Sequence, residues 1–298
     1  MSTLGAVYDR GYRPYEGELG GRSTTRWALW RLTVRRALGL RRSWRQKVLP
    51  WSLLALTTIP AAVQVGVGWL TRNTPVGETD FEFITFREYV GVSTMLLLFV
   101  AVAAPDVVCP DRHDRVLPLI FARPLTGDDY VLAKVGAIFS IIFGFAFLPQ
   151  VTLYIGQMLV DDDGALHFVK DHLQELWQVP VAVAVLALFY AVVGVAVASL
   201  TDRRIVGGLA FLGTLIIPSI VAEAITEAAE PDGTLITVFN LLGLPLRLRD
   251  VIFLGHVGGD VDDPIAGVSG GGVAALVVYL VVIGAGLYLL HRRYEESA

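Results

Sequence analysis

Six long apolar stretches, none holding a lysine or an arginine, constrain this chain more than any other feature: 48–70, 89–109, 135–160, 181–200, 205–225 and 271–290. A helix needs about 20 mostly apolar residues to cross the hydrocarbon core of a bilayer, and each stretch reaches that length. Lipid offers no partner to an unpaired backbone N–H or C=O, and these stretches lack the alternation of barrel strands, so each is predicted to be helical. Of the 298 residues, 54% are hydrophobic and 17% charged, more apolar than a soluble core requires. The expectation is an all-α integral membrane protein with a six-span domain over 48–290.

An even number of spans returns both termini to one side, and the basic residues say which side that is. The side of the termini carries nineteen basic against eleven acidic residues, the other side five against seventeen. Both termini are therefore expected in the cytoplasm, with the chain in the cell membrane. Cys109, the one cysteine, excludes an intramolecular disulfide and suits a reducing compartment. The first 47 residues are polar and lack the apolar core of a secretory signal, so the first apolar stretch is expected to act as an uncleaved anchor.

The polar segments divide further. Residues 1–22 are rich in Gly, Pro and Tyr and read as an extended cytoplasmic arm. Over 23–47, Trp27, Trp30, Val34, Ala37, Leu38 and Trp44 recur at helical spacing among arginines. This predicts an amphipathic helix lying on the inner membrane face, with Trp27, Trp30 and Trp44 in the headgroup layer and Arg35 and Arg36 toward anionic lipid. Attachment to a span argues against a nucleic-acid-binding arm. Leu235 to Leu254 is too apolar for a free loop, yet Asn240, Gly243, Pro245, Arg247 and Arg249 interrupt it, so a re-entrant or surface helical pair is expected rather than a seventh crossing. Residues 291–298 form the cytoplasmic tail. Thr201 to Arg204 is short enough to make the fourth and fifth spans antiparallel neighbours, and HFVKDHLQELW within 161–180 reads as an outer amphipathic helix.

Catalytic signals are sparse. No G-x-x-x-x-G-K-[ST] loop occurs, so the chain has no nucleotide site of its own. Gly267 to Gly270 matches the G-x-S-G of intramembrane serine proteases, but no histidine lies at membrane depth to take a proton from Ser269. His167, Asp171 and His172 beside Asp161 to Asp163 have zinc-ligand chemistry, yet a spacing of five turns the two rings apart on a helix. Asp111 and Asp114 resemble the paired acids of lipid-headgroup transferases, without the further acids that such metal sites need. Gln64, Gln150 and Gln157 are polar groups at depth, which either hydrogen-bond between helices or line a translocation path. Pro60, Pro149 and Pro218 allow kinks within spans.

The segment from Asp111 to Lys134, DRHDRVLPLIFARPLTGDDYVLAK, remains. Its four cations and four acids cancel, which favours a protein partner over anionic lipid. Thr126 with Asp129 is a helix-start signal, so Pro118 and Pro124 delimit a short element before the third span. The run Leu117-Pro118-Leu119-Ile120-Phe121-Ala122-Arg123-Pro124-Leu125-Thr126, followed by Asp129-Tyr130-Val131-Leu132-Ala133-Lys134, resembles the cytoplasmic signature of type-2 ATP-binding-cassette exporter permeases. Two positions depart from it: Gly127 and Asp128 follow the Thr where the family often has Arg, and Ala122 replaces a common Ser. The resemblance implies a cytoplasmic coupling helix between spans 2 and 3. Its contact to an ATPase subunit would be built from Asp111, Arg112, Asp114, Arg115, Leu117, Pro118, Phe121, Arg123 and Pro124. It implies as partners a second permease, identical or related, and cytoplasmic ATPase subunits that bind the ATP and Mg, with no cofactor on this chain. A non-transporting scaffold or sensor coupled to an ATPase, and a membrane-embedded lipid-modifying enzyme, are the alternative readings.

Overall fold

The computed structural model describes residues 20–40, 44–73, 84–90, 93–161, 164–228, 235–258 and 270–295. Every regular element among them is helical: α1 (Arg22–Ala37), α2 (Trp44–Asn73), α3 (Phe86–Val90), α4 (Ser93–His113), α5 (Leu117–Phe121), α6 (Gly127–Val160), α7 (Ala165–Asp171), α8 (Glu175–Ala198), α9 (Arg204–Ala228), a 3-10 turn (Leu235–Phe239), α10 (Leu244–Leu254) and α11 (Gly271–Glu295). Six segments are long and apolar enough to cross a membrane: Pro50–Leu70, Phe86–His113, Gly127–Val160, Glu175–Ala198, Arg204–Ala228 and Gly271–Glu295.

Helix α8 forms the centre. Leu186, Phe189, Tyr190 and Val192 are buried on all its sides, as expected of a helix that is apolar all round. Around it pack α4, α6, α9, α10 and α11, with α1 and α2 against α6. The outer helices expose Ile59 and Val63 on α2, Ile217 and Ile220 on α9, and Leu280 and Val281 on α11. An outward face as apolar as the inward one suits lipid, not water. Where α9 crosses α4, a Cβ at Gly208 would stand 2.4 Å from the Ala101 carbonyl oxygen, so the two backbones touch only because that side chain is absent.

Several boundaries differ from the sequence expectation. The helix expected over 23–47 ends at Ala37. Gly39 takes the left-handed conformation (φ +66°), Leu40 N–H donates to Arg35 O at 2.8 Å, and Gly39 N–H donates to Arg36 O at 3.1 Å. That paired glycine cap ends a helix, so Trp44 opens α2 instead of closing α1. The third span begins at Gly127, well before 135, because its polar first turn is capped by Thr126. Helices α2, α6 and α9 run through Pro60, Pro149 and Pro218 without a break. The 11 residues of α10 extend about 16 Å, half of what a crossing needs. Arg247, Arg249 and Asp250 on α10 are buried against the bundle. The outer amphipathic helix is split, with its second half forming the start of α8.

Candidate functional site: the basic end of the bundle

At the end where α1, α5, the start of α6 and the last turn of α11 meet, Asp111 is drawn inward. Lys134 Nζ lies 2.6 Å from its Oδ2, Arg36 Nη1 lies 3.1 Å from its Oδ1, and Tyr130 OH donates to Oδ2 at 2.9 Å. Lys134 also donates to the Val107 carbonyl at 2.7 Å. Asp111 is 5% exposed and Lys134 3%. Such buried charges are tolerable only because each meets opposite charge and hydrogen bonds. Three helices are thereby tied at one carboxylate.

A second knot lies one turn away. Thr126 and Asp129 form a capping box, with Asp129 N–H on Thr126 Oγ1 at 3.4 Å and Thr126 N–H on Asp129 Oδ2 at 3.2 Å. The same carboxylate accepts from Arg22 Nε at 2.6 Å and Arg26 Nη1 at 3.4 Å. The hydrogen bond to Asp129 and its charge push the Arg22 guanidinium above its ordinary value. Arg22, Arg26, Leu29, Thr33 and Arg36 recur at spacings of four and three, which lines them along one face of α1. Arg36, expected toward lipid, instead belongs to this inward face. Trp27 and Trp30 stack at 4.4 Å, and Trp27 and Trp44 are exposed.

Other elements close on the same place. Arg112 donates to the Ser199 carbonyl and pairs with Asp202 at 3.3 Å, while Arg204 pairs with Asp106 at 2.5 Å. The ring of Tyr294, near the end of α11, lies 4.7 Å from that of Tyr130, and His291 Nδ1 lies 2.7 Å from Asp128. A Cβ at Gly127 would come within 2.8 Å of the Tyr294 carbonyl group. The glycine at 127 thus has a physical reason: the backbone of α11 occupies the space a side chain would take.

Helix α5 projects from this anchored base. Arg115, with φ +52°, takes the left-handed position of a helix-ending turn in which Val116 N–H reaches Asp111 O at 3.1 Å. No residue of α5 is buried. Leu117 and Phe121 are half-buried, and Phe121 meets Tyr130 edge-on at 6.0 Å. Asp114, Arg115, Pro118, Arg123 and Pro124 are exposed, and Leu119 is 71% exposed. Of the nine residues expected at a partner surface, the structure thus brings five to one exposed patch, turns Leu117 and Phe121 toward the base, and commits Asp111 and Arg112 to internal pairs. Leu119 is the residue that sequence reasoning missed. The pair Leu117 and Phe121, four apart, marks the inner face of so short a helix, and Leu119 falls outside it.

The glutamines lie toward the opposite end. Gln64 Nε2 donates to Ile84 O at 3.4 Å and Gln150 Nε2 to Phe86 O at 3.0 Å, so both seat the segment around α3. Gln157 lines a separate cleft of about 240 Å³ with Thr85, Arg87, His172 and Glu175. There Arg87 Nε and Arg249 Nη2 both meet Asp250, at 2.8 and 2.7 Å. His167 pairs with Asp171 at 3.0 Å, whereas His172 stacks on Phe168 at 4.1 Å. Among the described residues no three metal-ligating side chains converge.

Compared with known proteins, the chain matches no protein-family profile and no curated protein. Fold and site together define a multi-pass helical protein with six candidate membrane helices and an exposed short helix on a charge-locked base.

Proposed function

We propose that this chain is the permease subunit of an ATP-binding-cassette exporter, with α5 as the coupling helix that a cytoplasmic ATPase subunit grips. The observation that carries this reading is the exposed α5 itself: five residues, none buried, set between two elements whose charges are fully engaged. An element whose position is fixed from behind but whose outward face is exposed among the described residues is suited to passing force between proteins. Arg115 supports the same reading. A left-handed position favours glycine, and a non-glycine residue there costs about 1–2 kcal/mol, so an arginine at this position fits a contact made by the side chain.

On this reading α1 is a clasp on the start of α6, and the basic end faces the cytoplasm. Leu119, Pro118 and Arg123 present an apolar centre with charged edges, the composition of a protein contact. The ATPase supplies nucleotide chemistry, and closure of its subunits displaces α5. Because α4 and α6 are tied at Asp111, they follow. A second permease copy, identical or related, completes the path.

The test is co-purification of the full-length chain with a P-loop ATPase encoded beside it, with ATP turnover measured in lipid discs. Association is expected, with turnover that falls when Leu119 and Arg123 are replaced by Ser and Gln. A chain that recovers no ATPase from its own cells, or a turnover indifferent to both changes, overturns the reading.

A further inference from the structure

Between α1 and the α5 segment runs a groove of about 800 Å³. Five cations line it, Arg31, Arg35, Arg36, Arg123 and Lys134, against the single acid Asp111. Asp111 is already shared by Lys134 and Arg36. Arg31, Arg35 and Arg123 have no acidic partner among the described residues, and Arg36 keeps its Nε buried without an acceptor. The remaining wall is largely carbon, with Trp27, Leu29, Leu32, Ile120 and Leu125. Trp27 and Leu32 are 58% and 64% exposed.

The two halves of this lining ask for one kind of occupant. Three unpaired guanidiniums call for an anion that offers several acceptor oxygens. The apolar wall calls for a chain that water would not solvate. A water-soluble acidic segment answers the first demand alone, and a neutral lipid the second alone. The position decides the source of the amphiphile: α1 ends at Ala37, α2 begins at Trp44, and the membrane-crossing stretch of α2 starts at Pro50, so the groove lies close in the chain to the bilayer surface. We propose that this groove binds one anionic phospholipid of the adjoining leaflet, its phosphate held by Arg31, Arg35 and Arg123 and its chains lying over Trp27 and Leu32. The groove needs only the bilayer for its occupant, but it shares Leu119 and Arg123 with the surface proposed for the ATPase, so it is tested on the chain without that subunit.

The test uses the full-length chain in detergent, titrated with phosphatidylglycerol or phosphatidylcholine, with bound lipid counted by native mass spectrometry. One phosphatidylglycerol should be retained at a concentration at least about tenfold below that needed for phosphatidylcholine, given the three unpaired cations. Each of Arg31→Gln, Arg35→Gln and Arg123→Gln should weaken retention about fivefold. The triple variant should bind both lipids alike, and the distant control Lys170→Gln should leave the preference intact. Excess glycerol phosphate should not displace the lipid. Equal retention of the two lipids by the unaltered chain overturns the proposal, as does a preference that is undiminished in all three single variants or that survives in the triple variant. Displacement by glycerol phosphate also overturns it, since the groove would then take a soluble anion.

Discussion

Asp111 and Asp250 lie toward opposite ends of the bundle, and each is a buried carboxylate flanked by two cations, Lys134 and Arg36 for the first, Arg87 and Arg249 for the second. At both ends the acid ties a short or peripheral helix to the spans, α1 in one case and α3 in the other. The surroundings differ. Near Asp250 several polar groups turn inward: Gln64, Gln150 and Gln178 donate to backbone carbonyls, and Tyr89 OH donates to that of Thr57. Near Asp111 a second layer stays outward, with Asp114, Arg115, Leu119 and Arg123 on or beside a helix none of whose residues is fully buried. The same electrostatic device closes one end and, at the other, holds a platform for contact.

The comparison can be broken most directly at the two acids. Asp111→Ala and Asp250→Ala should each remove a buried carboxylate shared by one buried and one partly buried cation, at about 3–5 kcal/mol, read by thermal unfolding in detergent. A much smaller loss at Asp250 would mean that the two knots are not equivalent. Gly127→Ala should cost about 1–3 kcal/mol, because the new Cβ meets backbone at the end of α11 and not a movable side chain. Leu119→Ser paired with Arg123→Gln should change stability by less than about 0.5 kcal/mol, as exposed positions do, while reducing ATPase association about tenfold. Leu166→Ser, at an equally exposed position toward the opposite end, should alter neither quantity. Arg115→Gly acts in the opposite direction: it relieves a left-handed non-glycine residue and should raise stability by about 1 kcal/mol while lowering ATPase turnover. A gain in stability together with a loss of turnover would separate the side chain's contact from its structural burden.

The spans were legible because a bilayer demands length and apolarity together, and those are properties of contiguous sequence. The start of α6 was legible for a similar reason: Thr126 and Asp129 act on each other within one turn. The end of α1 was present in the sequence as Gly39, but the tryptophan and arginine periodicity carries on past it to Trp44 and hides the stop. Pairing across the chain was not legible. Arg36 and Asp111 are 75 residues apart, and a helical pattern shows that Arg36 is polar without saying whether lipid or a carboxylate receives it. The division of 111–124 into buried and exposed members depended likewise on where α6 and α11 stand. The glutamines were recognised as polar groups at depth, yet two of their partners are main-chain carbonyls at Ile84 and Phe86, which leave no mark in the sequence.

Helix α6 is unbroken over 34 residues, which makes it a rod of about 50 Å. Its first turn is fixed to the elements around α5, and Gln150, about 36 Å along it, holds the backbone at Phe86. A rod of this kind acts as a lever: a tilt imposed at its capped end is carried along the helix toward the seat of α3, with one proline between the two. Pro149 is where such a joint would form, since it lacks the N–H that would otherwise bond the carbonyl one turn back. The residue that grips the far segment therefore sits immediately beyond the one point at which the lever can bend.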